Sequence, residues 1–487
     1  MCGIAGLINV EYENKLEILK NLELRGRDGF GYFAWSPTNQ GMQKSLLPVS
    51  EYLTTKLEEN KIALKSSVVL ANTRAIPTTE FQSGAGSDLR NQQPFSRRRY
   101  AVVFNGLIAN DKELIKKFSL NPDALVDTAI LLPLFERVGI VDGLKMLDGS
   151  FAVVVFDKVD QKLYFGKNFM PLFYVIDSGS VIVVSLKEML PDNLRSLARE
   201  VPAYSCITYD MKTGKELAPI SLYRKERNKK VMVICSSGTD SVTTAYVYKH
   251  LGYEVTLAHF IYGQAAELVE KFAVEKIATD LNAKLIVYDA KPLFATFKDV
   301  SRLLNQKEAD LNKQMLDAES TFSYVPNRNA IFVMIVAALA EKEGCDTVAF
   351  GGQQMDSVYP DNTPDFVRTI DGALKYSLNW QTNIKFAAPL IHLIKHEIVK
   401  LGLALNVPFR WVCSCYYPKL ENGEVVVCGK CGCCQFRFSS FKMLGVVDTQ
   451  KFEYLPSPNW FKDCKVQLEW SNADRDEFIR KYVERLT

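Results

Sequence analysis

Hydrophobic positions in the first 220 residues come in short runs separated by turn residues. "SSVVLANTR", "YAVVFNG", "GSFAVVVFD" and "GSVIVVSL" are examples. Runs of this length, rich in Val and Phe, predict β-strands and a β-rich domain with a few helices. The pattern changes beyond residue 230. "VMVIC" precedes helical "DSVTTAYVYKHLG", "EVTLAHF" precedes "AAELVEKFAVEKIATDLNA", and "KLIVYDA" and "DTVAFGG" follow. Strand and helix signals that alternate in this way predict a doubly wound parallel α/β sheet with helices on both faces. Between the two patterns lies "YRKERNKKVMVIC", residues 223–235, where a charged stretch runs into the apolar run Val231 to Cys235. It reads as a surface linker feeding a buried strand. The expected organisation is a domain over 2–224, a linker over 225–230, a second domain over 231–445 and a C-terminal extension over 446–487. The extension places Trp460 and Trp470 among many charges.

Composition narrows the class. A length of 487 residues suits two or three domains. Hydrophobic residues at 47% and charged ones at 24% are ordinary for a soluble globular chain. A net charge of +3 supplies no strong basic field for nucleic acid, although a local patch is compatible with it. No apolar run is long enough to predict a transmembrane helix, and the N-terminus does not read as a secretory signal. Of 11 cysteines, six lie between residues 413 and 434. Such clustering in a long chain favours metal over disulfides and a reducing, cytoplasmic setting.

The chain opens "MCGIAGL". All four histidines, at 250, 259, 392 and 396, lie beyond the linker, so a papain-type Cys–His pair within the first domain is excluded. Cys2 is then either a small buried residue at the start of a strand or a nucleophile with another base. Removal of Met1 would supply that base as an α-amine with a pKa of roughly 8.

"MCGIAG", "LRGRDGFGY", "ANTRA", "VVFNGLIAN", "DALVDTAILL" and "MLDGSFAVVVFD" occur in that order. Together they resemble the class II glutamine amidotransferase domain, most nearly the glutaminase half of asparagine synthetase, over roughly residues 2–224. The resemblance implies an Ntn-type αββα sandwich in which Cys2 attacks the amide of glutamine. It implies that Arg74 holds the α-carboxylate and Asp127 the α-ammonium, and that Asn105 and Gly106 form the oxyanion hole. Asn72 and Arg27 depart from the histidine and proline usual at their positions, and "GKNFMPLFY" is shorter than its counterpart.

"VICSSGTDSVTTA" is a strand, a small polar loop and a helix start, suited to wrapping phosphate oxygens. It lacks the lysine of a P-loop. It resembles the loop of ATP pyrophosphatases, which places Ser236, Ser237, Gly238, Thr239, Asp240 and Ser241 at the nucleotide; Ser237 stands where a glycine is usual. "FIYGQ", "YVPNRNAIF", "VYPD", "APLIHLIKHEI" and "CSCYYP…CGKCGCCQFR" follow. The set is similar to the 7-cyano-7-deazaguanine synthase (QueC) family over roughly 230–445. The resemblance implies ATP with Mg as cosubstrate, Arg328 and Lys395 at the nucleotide, and Asn329, Asp356, Tyr359 and Asp361 near the deazaguanine. The spacing Cys428-x2-Cys431-x2-Cys434, with Cys415 upstream, suits a tetrahedral structural zinc. The resemblance picks Cys415, Cys428, Cys431 and Cys434 as the ligands and leaves Cys413 and Cys433 over, and exchange of Cys433 for Cys434 stays open.

Four departures bear on substrate. Ala265 and Ala266 stand where basic residues are common, and Asn362 and Thr363 replace cysteine and arginine after "YPD". Lost positive charge weakens the case for a carboxylate substrate. Glutaminase-fused members of the family are associated with archaeosine-type products, in which a 7-cyano group gains ammonia and becomes a formamidine, in tRNA or modified DNA. The expected function is therefore a glutamine-dependent amidotransferase and carbon–nitrogen ligase-like enzyme. It would act on a 7-deazaguanine, free or in nucleic acid, as a homo-oligomer with no membrane partner. The alternatives are ATP-dependent synthesis of the nitrile from 7-carboxy-7-deazaguanine, a non-catalytic binding protein with relic sites, and asparagine synthetase itself.

Overall fold

The computed structural model describes residues 2–75, 88–223, 228–301, 303–304, 324–354, 359–379, 382–456 and 472–483. The chain divides into two units, the first formed by residues 1–226 with 379–381 and the second by the remainder.

In the first unit the predicted short strands form two antiparallel sheets. One holds β1 (Gly3–Ile8), β2 (Phe30–Ser36), β3 (Asn39–Ser45) and β4 (Val68–Thr73). The other is built around β5 (Phe95–Ser96), β6 (Tyr100–Ile108), β7 (Gly149–Asp157) and β8 (Lys162–Lys167). Next come β9 (Phe173–Asp177), β10 (Ser180–Val184), β11 (Arg199–Glu200), β12 (Ser205–Asp210) and β13 (Lys215–Ser221). The sheet orders are β11-β9-β10-β1-β4-β2-β3 and β13-β12-β8-β7-β6-β5. Strand alternation explains the layering. Ile4 and Ile8 of β1 pack between the sheets with Val103 and Val154, while Ala5 and Leu7 face helix Tyr12–Asn21. On the far side Val102 and Val153 face helix Leu131–Val138. The result is an αββα sandwich. Gly6 permits the sheets to meet: a Cβ there would stand 2.6 Å from Val154.

The second unit is a parallel sheet of order β16-β15-β14-β17-β18. Its strands are β14 (Lys230–Ile234), β15 (Glu254–Ile261), β16 (Lys284–Asp289), β17 (Thr347–Phe350) and β18 (Lys385–Ala387). Helices Thr239–His250, Glu267–Leu281 and Lys395–Ala404 pack on one face through Val242, Ile277 and Val399. Helices Arg328–Glu343 and Pro364–Ser377 pack on the other through Val336 and Ile370. Phe332 belongs to that core, stacked on Phe260 at 3.9 Å. Residues 228–230, expected in the linker, are part of this unit: Lys229 N–H donates to Asp346 Oδ2 and Asn228 Nδ2 to Gly344 O.

The described part of the extension is also built in. Arg437 and Asp448 form an ion pair at 2.7 Å with both side chains 3% exposed, and Arg437 also donates to the carbonyls of Phe409 and Val412. Strand β21 (Lys451–Phe452) joins β19 (Lys419–Glu421) and β20 (Glu424–Val427) in a small sheet. Helix Asn472–Val483 lays Phe478 and Tyr482 against Ile398 and Leu401. Trp460 and Trp470 lie outside the described residues. Removing one partner of a buried pair strands the other charge. Asp448→Ala is expected to destabilise the second unit by about 3 kcal/mol, read as a lower urea midpoint.

Candidate functional site

Cys2 immediately precedes β1, whose first residues pair with the ends of β4 and β10. Its backbone N–H donates to Asn105 Oδ1 at 2.9 Å, while Asn105 Nδ2 is buried and has no hydrogen-bond partner among the described residues. Burial pushes the Cys2 thiol up; the Ala75 N–H, the chain's amino terminus, Arg74 and Arg25 pull it back. Gly3 is required by packing, since a Cβ there would lie 2.6 Å from both Leu22 O and Thr73 Oγ1. Asn72, in place of histidine, donates from Nδ2 to Gly3 O at 3.3 Å. Gly106 has φ +149° and a Cβ there would stand 1.9 Å from Ser150 O, so only glycine fits. The "RGRDG" turn holds the end of β4: Asp28 N–H donates to Arg74 O, and Arg74 N–H to Gly29 O. Arg74 is itself buried. Asp127 accepts the Ile108 N–H on Oδ2 and the Thr128 N–H on Oδ1, both at 2.7 Å. Burial raises its pKa against those bonds. Arg25 is the residue that motif reading passed over; half-buried, it interacts electrostatically with the Cys2 thiol.

In the second unit a cavity of 380 Å³ opens at the C-terminal ends of the parallel strands, where open α/β sheets bind ligands. Ser236, Gly238, Thr239, Asp240 and Ser241 line it, with Lys395 opposite. Lys395 Nζ bonds both Asp240 oxygens, at 2.8 and 2.6 Å. Ser237 differs from expectation. It has φ +64° and is fully buried. Its hydroxyl donates to Cys413 O at 3.4 Å and its carbonyl accepts the Cys413 N–H at 2.8 Å. Its side chain therefore belongs to the support behind the loop and is absent from the cavity lining.

Arg328, Asn329, Tyr359 and Asp361 also line the cavity. Burial disfavours the Arg328 charge, and Tyr262, Asp361 and Tyr416 more than offset it. The Asn329 amide is committed to the Asp361 carbonyl at 3.2 Å, and Asp361 Oδ2 accepts the Asn329 N–H at 3.1 Å. That pair fixes the turn to the start of helix Arg328–Glu343. Asp356 lies outside the described residues. Glu270, Gln264 and Gln353 join the lining. Burial pushes Glu270 up to about 7, with Gln264 and Arg328 pulling down.

Cys415, Cys428, Cys431 and Cys434 are buried with all four Sγ atoms within 4.8 Å of one another. Separations of 3.5 Å for Cys431–Cys434 and 4.0 Å for Cys428–Cys434 are far longer than the ~2.05 Å of a disulfide. They approach the ~3.8 Å edge of a tetrahedron with ~2.3 Å metal–sulfur bonds. Cys415 Sγ also accepts the Tyr417 and Cys428 N–H groups at 3.3 Å. The donor set fits a metal ion. Cys413 and Cys433 stand apart from it, and Cys433 lines the cavity.

A sandwich with a cysteine at the head of its first strand, joined in one chain to a parallel-sheet unit with a polar loop and a four-thiol site, suits a glutamine amidotransferase fused to an ATP-pyrophosphatase-type synthetase. Comparison with known proteins gives the family. The family model for queuosine biosynthesis protein QueC matches residues 230–445, and that for a glutamine amidotransferase domain matches 86–192. The chain is 33% identical to a 7-cyano-7-deazaguanine synthase of Sulfolobus acidocaldarius over 93% of this chain and 100% of that one. It is 40% identical to one of Nitratiruptor sp. over 45% of this chain and 96% of that one. A glutamine phosphoribosylpyrophosphate amidotransferase structure from B. subtilis overlaps 82% of this chain and 92% of its own at 14% identity and a TM-score of 0.38. The chain belongs to the 7-cyano-7-deazaguanine synthase (QueC) family, in a form fused to a glutamine amidotransferase domain, and is an ATP-dependent carbon–nitrogen ligase-type enzyme. Among the described residues no helix is long and apolar enough to cross a membrane.

Purified protein is expected to carry one thiophilic metal ion per chain. Chelation under denaturing conditions should release it and add four titratable thiols; a folded, active, metal-free preparation would contradict the assignment.

Proposed function

We propose that the chain hydrolyses glutamine at Cys2 and transfers the ammonia to the C7 group of a 7-deazaguanine, converting a 7-cyano group to a formamidine. With Met1 removed, the α-amine of Cys2 serves as base, Arg74 and Asp127 hold the two ends of glutamine, and Asn105 Nδ2 with the Gly106 N–H stabilises the oxyanion. One such donor is typically worth about 3 kcal/mol in the transition state. Ser236, Gly238, Thr239, Asp240, Ser241, Arg328 and Lys395 would hold ATP with Mg, and the Cys415, Cys428, Cys431, Cys434 set would hold a structural zinc. Asn329, Tyr359 and Asp361, with Asp356, would border the base. Small-molecule base, tRNA or DNA could each carry the acceptor.

The observation that carries this reading is the pairing of a glutamine-site residue set with a cavity whose wall is neutral at Ala265, Ala266 and Asn362. A nitrile needs no cation there, and its amidation needs an ammonia source.

A second reading, synthesis of the nitrile from the 7-carboxy compound, is favoured by the nucleotide loop and by Arg328, a cation in the same cavity. It also agrees with the names of the full-length relatives. One assay separates them: purified protein with glutamine is given the 7-cyano or the 7-carboxy compound, with and without ATP, and products are weighed by mass spectrometry. A formamidine from the nitrile supports the first reading; an ATP-dependent nitrile from the carboxylate replaces it. Cys2→Ala should lose glutamine-dependent turnover and retain turnover with ammonium.

A further inference from the structure

We propose that Glu270 is the proton-transferring catalytic residue of the second site. This rests on reading the cavity as the place where ammonia meets the deazaguanine. Glu270 sits in the first turn of helix Glu267–Leu281, just beyond β15, and its side chain lines the cavity shared with the nucleotide loop after β14. Its carboxyl is oriented rather than loose: Oε2 accepts Gln264 Nε2 at 2.9 Å. Gln264 is itself fixed, accepting the Tyr262 N–H at 2.9 Å and donating to Phe260 O at 3.1 Å.

These bonds hold Gln264 to the end of β15, so the loop does not need Glu270 to keep its shape. Arg328 lines the same cavity and interacts with Glu270 through space, yet no ion pair joins the two among the described residues. A carboxyl and a guanidinium that share a cavity without closing on each other leave room for a polar group between them. The groups facing Glu270 are Arg328, Glu267, Gln264, Tyr262 and the thiols of Cys235 and Cys413. Burial holds its proton affinity near neutrality, where one carboxyl can both give and take a proton.

The step balances without a further reactant. The ammonia nitrogen forms a bond to the nitrile carbon as one C–N π pair moves onto the nitrile nitrogen. The Glu270 carboxyl gives its proton to that nitrogen, and the resulting carboxylate takes one from the added nitrogen. Net, ammonia and nitrile become formamidine and Glu270 regains its starting state. In amide formation from an adenylated carboxyl, the C–N bond would form as the C–O bond to the adenylate breaks and AMP leaves with its electron pair, and the Glu270 carboxylate would take the proton lost by the attacking nitrogen.

The test uses the full-length protein with ammonium in place of glutamine, so that the Cys2 site is not read. Glu270→Gln should bind the base and ATP within about threefold of wild type and lose 100-fold or more in kcat. Glu270→Asp should recover part of the loss. The wild-type kcat profile should show a limb near pH 7 that is missing from Glu270→Gln. A Glu270→Gln kcat above half of wild type overturns the proposal, as does a loss matched by weaker base or ATP binding, which marks a structural role. Wild type that turns over neither the nitrile nor the carboxylate overturns the reading of the cavity and the proposal with it. Wild-type turnover with an unaffected variant overturns the proposal alone.

Discussion

A single backbone hydrogen bond organises the second unit. The Cys413 N–H donates to Ser237 O at 2.8 Å, and one residue later Ser414 Oγ accepts the Thr239 N–H at 3.0 Å. These bonds seat the nucleotide loop on the segment that carries Cys415, so the thiol site and the loop share one stretch of chain. The Lys395–Asp240 pair grips the loop from the helix that follows β18. Polar partners around this loop stay strong because water is largely replaced by protein there.

The first unit uses the same principle with different parts. The groups proposed to react there are placed by backbone contacts: Asn105, within β6, receives the Cys2 N–H, Asp127 is held by two peptide N–H groups, and the "RGRDG" turn clamps Arg74. Glycines at 3 and 106 occur where any side chain would strike a neighbouring carbonyl. Strands hold their backbone shape tightly, so groups tied to them by such bonds are held in place before substrate arrives.

Much of this was legible in the chain. Short Val- and Phe-rich runs reported the two antiparallel sheets because each strand buries both faces in a four-layer stack, and alternating runs reported the parallel sheet. The Cys spacing marked a metal cluster and the family resemblance picked four thiols from it, but which of Cys433 and Cys434 belongs with them depended on helix Gly432–Met443, which turns Cys434 inward. Glu270 was not legible: "AAELVEKFAVEK" reads as an ordinary surface helix, and only tertiary packing shows that this glutamate lines the cavity. Asn329 was read as a substrate contact; it lines the cavity, and its Nδ2 also donates to the Asp361 carbonyl, a bond the motif did not announce. The packing of residues 446–452 was also hidden, since a buried Asp448 is indistinguishable by composition from a solvated one.

Ser237 shows what a motif written in letters leaves out. A glycine is usual at that position because the loop there turns left-handed, and here a serine adopts the same turn at φ +64°. The usual cost of that conformation is about 1–2 kcal/mol, set against two bonds to Cys413. What the loop requires at this position is therefore a backbone shape, supported here by the bonds to Cys413, and a residue other than glycine can supply it. Relatives of this protein could then carry working loops that a glycine-based pattern passes over, and the surer signature is the hydrogen-bonded partner segment 176 residues downstream.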